Sequence, residues 1–325
     1  MNMKGERIPF LPQFDNLEEW SRIRRKFREK WLVYLGKLPG HAGDMEIRVI
    51  SEEKRGALIR QKIRYATGTS FHAEAYVIRP QRIRRKMPAV VVFHSTEDSN
   101  IDEPAGLDRS VPPSRYTALH LARRGYVTIS PRCFIYGNEE MPAPHDIAAR
   151  RKELVRKVQR YNPGWIGMTK MLSDGMIAVD ILEQYAFVDR NRMGCIGFSL
   201  GAKESLYLAA FDERINACVC NEPGIGIGFS NWDAPWYLGA GIKGKKDMDH
   251  HQIISLIAPR AFLLVCGESE DGARSMPYIE AVKPVYRMLG AEDSLKTIRH
   301  KKGHLCVPAV NTKVYRWLDR HLGNV

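Results

Sequence analysis

The alternation of apolar and polar positions changes character along the chain. Leu17 to Leu35 places apolar residues at helical spacing among Arg and Lys, which predicts an amphipathic helix. Between Met45 and Arg79 the pattern alternates in three pieces, around Glu46 to Ser51, Leu58 to Tyr65 and Phe71 to Val77, and predicts an antiparallel meander. Pro88 to His94 then runs Pro-Ala-Val-Val-Val-Phe-His, the continuous apolar signal of a strand covered on both faces of a parallel sheet. Helices and strands alternate from there. The expected helices are Ser114 to Arg124, Met141 to Tyr161, Trp165 to Tyr185, Ala202 to Phe211, a segment holding Ile253 to Ile257, Tyr278 to Leu289 and Asn311 to Leu322. The expected strands are Tyr126 to Ser130, Met193 to Ile196, Ile215 to Cys220, Ala261 to Cys266 and Leu295 to His300. This order predicts an α/β fold with a mostly parallel, doubly wound sheet and crossover helices. No internal repeat or low-complexity linker interrupts it, so residues 45–325 read as one domain behind a helical extension over 1–44.

The strand Met193 to Ile196 leads into Gly197-Phe198-Ser199-Leu200-Gly201, and a helical pattern follows. Strand, glycine-flanked serine and helix make a nucleophile elbow, in which the serine sits on a strained backbone and its neighbours must be small. The backbone N–H of Leu200 then faces a developing oxyanion. A second donor is expected in the loop after the Pro88 strand, at the N–H of Ser95 or Thr96.

An elbow serine is followed in the chain by an acid and then a histidine. His304 lies just past the last strand, in Lys302-Gly303-His304-Leu305, where a loop brings an imidazole over the serine to take and return its proton. His300 is the nearest competitor and falls within the strand. Three carboxylates qualify as the acid. Asp271 is preferred because its loop follows the strand Ala261 to Cys266; Glu270 beside it and Glu222, after the preceding strand, are the alternatives.

Composition narrows the class without changing that picture. With 44% hydrophobic and 27% charged residues, 325 residues can bury a large core. No run approaches the ~18 apolar residues that span a bilayer, and the N-terminus lacks the basic-then-apolar pattern of a secretory signal. Six cysteines lie mostly in apolar runs without zinc-site spacing, so reduced, buried thiols in a cytoplasmic protein are expected. The formal charge of +13 raises a polyanion-binding reading through Arg22 to Lys26 and Arg82 to Lys86. The first run falls within a helix and the second in a loop between strands, with no nucleic-acid motif near either, and a solvated basic surface accounts for both. The Asp247 to His251 run, DMDHH, sets two adjacent histidines that cannot share one helical face, so no metal is expected there.

With serine, acid and histidine placed, the chain resembles the α/β-hydrolase superfamily, and within it the dienelactone-hydrolase-like and acetyl-xylan-esterase-like carbohydrate esterases. The resemblance covers Ile50 onward and rests on CIGFSLGAKESLYLAAFDERI, SNWDAPWYLG, IAPRAFLLVCGES and KKGHLCVP. It implies an α/β-hydrolase fold, a Ser199, Asp271, His304 triad, and ester hydrolysis with neither metal nor cofactor. The chain also looks like the glucuronoyl esterases, which carry a lysine four residues after the nucleophile and use a glutamate after the following strand. Lys203 and Glu222 stand at those positions, while Leu200 replaces the arginine that family sets directly after the serine. Dienelactone hydrolases proper use a cysteine where this chain has Ser199. Lys203, Glu222, and Trp232, Asp233 and Trp236 of the aromatic insertion Phe229 to Tyr237 are the candidate substrate-binding residues, although pockets and cores share such a composition.

The expected activity is a serine carboxylesterase acting on a small acyl ester, an acetylated carbohydrate among them. A prolyl-peptidase-like hydrolase is the second reading, and the residues before Pro88 are too few for the propeller such enzymes carry. A non-catalytic polyanion binder is the third. The expected partner is a small-molecule or carbohydrate ester, with no nucleic acid and no membrane; a homo-oligomer stays open.

Overall fold

The computed structural model describes residues 10–38, 40, 45–68, 72–96, 100–137, 147–269 and 271–323. Its strands are β1 (Ile47–Arg55), β2 (Leu58–Ala66), β3 (His72–Pro80), β4 (Met87–Phe93), β5 (Val127–Pro131), β6 (Val188–Phe198), β7 (Ile215–Asn221), β8 (Ala261–Gly267) and β9 (Leu295–His300). They form one sheet in the order β1-β2-β3-β5-β4-β6-β7-β8-β9. The pairs β1·β2, β2·β3 and β3·β5 are antiparallel, and every pair from β5·β4 to β8·β9 is parallel. The change of pairing falls at the meander's end, where the apolar alternation gives way to continuous runs.

Those runs are explained by two cores, one on each face. Along β4, Ala89, Val91 and Phe93 face one cluster and Val90 and Val92 the other, so no position is left for a polar side chain. The second face is covered by α3 (Thr117–Arg123) and α9 (Pro308–His321), after the short α2 (Asp102–Ala105). The first is covered by α5 (Gly167–Gln184), α6 (Leu200–Phe211), α7 (His250–Ile257) and α8 (Met276–Met288), with α4 (Ile147–Tyr161) alongside. Of the helix expected over Met141 to Tyr161, residues 141–146 lie outside the described residues.

The N-terminal helix α1 (Leu17–Leu35) begins at Asn16, whose side chain accepts the Glu19 N–H at 3.0 Å. It buries Trp20, Phe27, Trp31 and Leu35 in the first core and is bonded to it: Trp31 Nε1 donates to Gln252 at 3.0 Å and the Tyr34 hydroxyl donates to Leu238 O at 2.8 Å. All six cysteines are free and buried. Among the described residues no helix is long and apolar enough to cross a membrane.

Candidate active site

The site is assembled at the carboxyl ends of β4, β6, β7, β8 and β9. Ser199 joins β6 to α6 at φ 56°, ψ −111°, a conformation that costs an L residue about 1–3 kcal/mol and persists only where the surroundings enforce it. They do so through the flanking glycines. A Cβ on Gly197 would lie 2.1 Å from the Gly201 carbonyl carbon, and one on Gly201 would lie 2.4 Å from Phe93 O. The Ser199 N–H is fixed to Asn221 O at 2.9 Å, tying the elbow to β7. Leu200 opens α6, so its N–H has no carbonyl one turn earlier and sits at the positive end of the helix dipole.

His304 stacks on Phe198, with ring centroids 4.7 Å apart, and lines the same cleft as Ser199. Its Nδ1 donates to Glu222 Oε2 at 2.9 Å, and in the neutral imidazole that tautomer leaves the Nε2 lone pair to accept a proton. Glu222 follows β7 at φ 56°, a left-handed turn that lifts its side chain across the end of β8. The carboxylate is buried, and its Oε1 also accepts the Leu305 N–H at 3.3 Å. Gly267, which ends β8, leaves room for it: a Cβ there would stand 2.5 Å from Glu222 Oε2 and 2.1 Å from Gly303 O.

The acid preferred from the sequence lies elsewhere in the site. Asp271 does not meet His304. Its Oδ2 accepts the Gly224 N–H at 2.9 Å, and its Oδ1 accepts the Ile225 N–H at 2.7 Å and the Ser275 hydroxyl at 2.6 Å. The turn after β7 exposes two backbone donors inside the protein, and a buried donor needs an acceptor; Asp271, the nearest carboxylate, is consumed by that need. Burial raises its pKa, opposed by the Ser275 hydroxyl and then by the two backbone N–H groups. Glu270 lies outside the described residues.

The two loop donors also part company. The Ser95 N–H is directed at Glu103 Oε2 at 3.3 Å and its hydroxyl at the same oxygen at 2.6 Å, so Ser95 is committed to Glu103. Thr96 lines the cleft beside Ser199. His94 braces this loop by donating from Nδ1 to Ser95 O at 2.7 Å and accepting the Cys133 N–H at 3.0 Å; burial brings its pKa down to about 4, so it stays neutral.

The cleft holds about 570 Å³. Lys203 lines it, with Nζ 3.0 Å from the Ser230 hydroxyl and 3.9 Å above the Trp232 ring, and Phe229, Asn231 and Tyr237 form its wall. Three expected wall residues face elsewhere. Trp232 is fully buried and donates to Gly224 O at 2.7 Å; Asp233 pairs with Lys243 at 2.5 Å; Trp236 packs under the Arg151 guanidinium at 5.4 Å. The insertion is wound so that the Trp232 indole fills the core, Trp236 packs half-buried against it, and Phe229, Ser230, Asn231 and Tyr237 reach the cleft. His250 is likewise core, with Nε2 accepting from the Tyr207 hydroxyl at 2.9 Å and Nδ1 donating to Ile225 O at 2.6 Å; burial lowers its pKa to about 3. Among the described residues no three His, Cys, Asp or Glu are grouped to hold a metal. His300, set aside in the sequence as a strand residue, lies at the end of β9 with its Nε2 2.8 Å from Glu222 Oε1.

Residues 73–224, from β3 through the elbow to the turn holding Glu222, match the model of the Dienelactone hydrolase family. The chain is a hydrolase with the α/β-hydrolase fold. This hydrolase is 26% identical over 311 residues to "Putative hydrolase YtaP" of Bacillus subtilis (strain 168), covering 92% of this chain and all of that one. Its fold is similar to that of a glucuronoyl esterase from Solibacter usitatus, with a TM-score of 0.72, 16% identity and 94% of each chain covered. It is also similar to a "putative acetyl xylan esterase" from Bacteroides fragilis NCTC 9343, with a TM-score of 0.68, 16% identity, and coverage of 91% of this chain and 79% of that one.

Proposed function

We propose that this hydrolase cleaves a carboxylic ester of a carbohydrate through an acyl-enzyme formed on Ser199, with His304 as general base and Glu222 as the acid that orients it. The observation that carries the reading is the 2.9 Å contact of His304 Nδ1 with buried Glu222, beside a serine held in the elbow conformation. Ser199 Oγ attacks the acyl carbon while its proton passes to His304 Nε2, and the carboxylate of Glu222 stabilises the imidazolium. The negative charge on the acyl oxygen is met by the N–H of Leu200 and the N–H of Thr96. His304 then returns the proton to the leaving alkoxide, and water repeats the sequence to release the acid and free Ser199.

The cleft supports a carbohydrate substrate: Lys203, Ser230, Asn231 and Thr96 offer polar groups around the serine, and Phe229 and Tyr237 supply flat apolar surface. A small acyl group such as acetyl is the first reading. An ester of a uronic acid is the second, favoured by the Lys203 ammonium that lines the cleft. The test is hydrolysis of p-nitrophenyl acetate and of a methyl or benzyl glucuronate by wild type and Ser199→Ala. The variant is expected to lose about 10³-fold or more on whichever ester is cleaved. Full activity in Ser199→Ala, or inertness of the wild type toward both esters, overturns the proposal.

A further inference from the structure

We infer that His300 is a positioning residue for Glu222, a second imidazole that engages the far oxygen of the carboxylate and keeps Oε2 turned to His304; this rests on the triad proposed above. His300 is the last residue of β9 and is in register with Gly267 of β8, the glycine whose missing side chain makes room for Glu222. Its side chain is only 7% exposed and that of Glu222 is wholly buried, so water is not at hand to serve either group.

The tautomer of His300 follows from its neighbours. Nδ1 accepts the Lys302 N–H at 3.3 Å, and Nε2 lies 2.8 Å from Glu222 Oε1. A bare Nε2 lone pair at that distance from a carboxylate oxygen would be repelled, so Nε2 carries the proton. The approach lacks the alignment of a directed hydrogen bond, and Nε2 has no other partner among the described residues. The attraction is therefore mainly that of an N–H dipole for a buried negative charge.

Counting donors shows what the contact does. Glu222 offers two oxygens. Oε2 is taken by His304 Nδ1; Oε1 has the Leu305 N–H at 3.3 Å and His300. Without His300, a buried carboxylate keeps one long bond on Oε1, and its charged form loses support relative to the protonated acid. A carboxyl that takes up a proton no longer orients His304. Among the described residues Lys203 lines the same cleft as Glu222, and the thiols of Cys266 and Cys306 lie near it, both raised by burial, Cys306 to about 12, so neither thiol changes charge in the working range.

The experiment compares His300→Leu with His300→Gln, whose amide nitrogen reaches the position of Nε2. The readouts are the pH profile of kcat/KM on the ester cleaved by wild type and the split between kcat and KM. His300→Leu is expected to move the acid limb up by about one pH unit and to lower kcat about tenfold at the optimum with KM unchanged; His300→Gln is expected to restore both. Should His300→Leu fail to fold, His300→Asn, whose amide stops short of Oε1, replaces it with the same expectation. An unmoved acid limb in the Leu or Asn variant, or a loss that the Gln variant shares in full, overturns the inference. Glu222→Gln run alongside separates the two claims. If it is severe while His300 variants are silent, only the role of His300 falls; if it is mild, the triad itself falls.

Discussion

Replacing Glu222 by glutamine separates the two candidate acids. The change keeps the volume and removes the charge that faces His304 Nδ1 at 2.9 Å. When Ser199 gives up its proton the imidazole becomes a cation, and a carboxylate about 4 Å from that charge contributes about 4 kcal/mol at an effective dielectric of about 20. That corresponds to about three decades in rate. The amide also stabilises the wrong tautomer by presenting its NH₂ to Nδ1, so the expected fall in kcat is about 10³ to 10⁴, with KM little changed. Asp271→Asn should behave differently. It weakens three hydrogen bonds to a buried carboxylate, at about 1.5–3 kcal/mol for a bond to a charged group, and so lowers the denaturant midpoint while kcat stays within about tenfold. The assay is kcat and KM for the cleaved ester, with an unfolding curve for each variant. A 10³-fold loss in Asp271→Asn at unchanged stability, together with a mild Glu222→Gln, would refute the assignment.

Two further outcomes test the surroundings of the site. Gly267→Ala forces a Cβ to within 2.1 Å of Gly303 O and 2.5 Å of Glu222 Oε2, so kcat should fall by at least about tenfold, while Gly244→Ala, with nothing within 4 Å, should leave kcat unaltered. Glu204, on α6 behind the serine, has its carboxyl pushed up to about 8 by burial and, to a lesser extent, by Asp174. The folded protein holds a proton there that the unfolded chain releases, so this group's contribution is full below about 4.5 and is lost as pH rises through about 8, at up to about 1.4 kcal/mol per pH unit. Glu204→Gln should therefore gain on the wild type between pH 5 and pH 8 in denaturant midpoint, and a constant difference across that range would count against it.

The parallel half of the sheet was legible because both faces are covered, which turns each strand into a run such as Ala89 to Phe93. The elbow was legible because its demands are local: the close approaches at Gly197 and Gly201 admit no side chain, and that requirement is written in adjacent residues. β6 begins at Val188 rather than Met193, since the polar residues after Val188 precede a register shift in its pairing with β4. Which carboxylate meets His304 was not legible. Glu222 and Asp271 each follow a buried strand, and what separates them is the left-handed backbone at Glu222 and the pair of buried N–H groups that claim Asp271. The closest signal in the sequence was Gly267, a strand end kept free of a side chain. The aromatic insertion was ambiguous for another reason: which ring turns inward depends on tertiary winding, and Trp232 went to the core.

The brace that Asp271 forms has a consequence for how this chain is compared with its relatives. Two carboxylates stand at neighbouring strand ends, and one of them serves the architecture that mounts the other: Asp271 pins Gly224 and Ile225, the residues two and three places after Glu222. On the triad proposed above, loss of each is therefore expected to act by a different route: loss of Glu222 removes the charge that faces His304 and lowers kcat, and loss of Asp271 loosens the turn that mounts it and lowers stability. Only the pattern of rescue tells them apart, since conditions that favour the folded state restore a variant of the brace and do nothing for a variant of the acid.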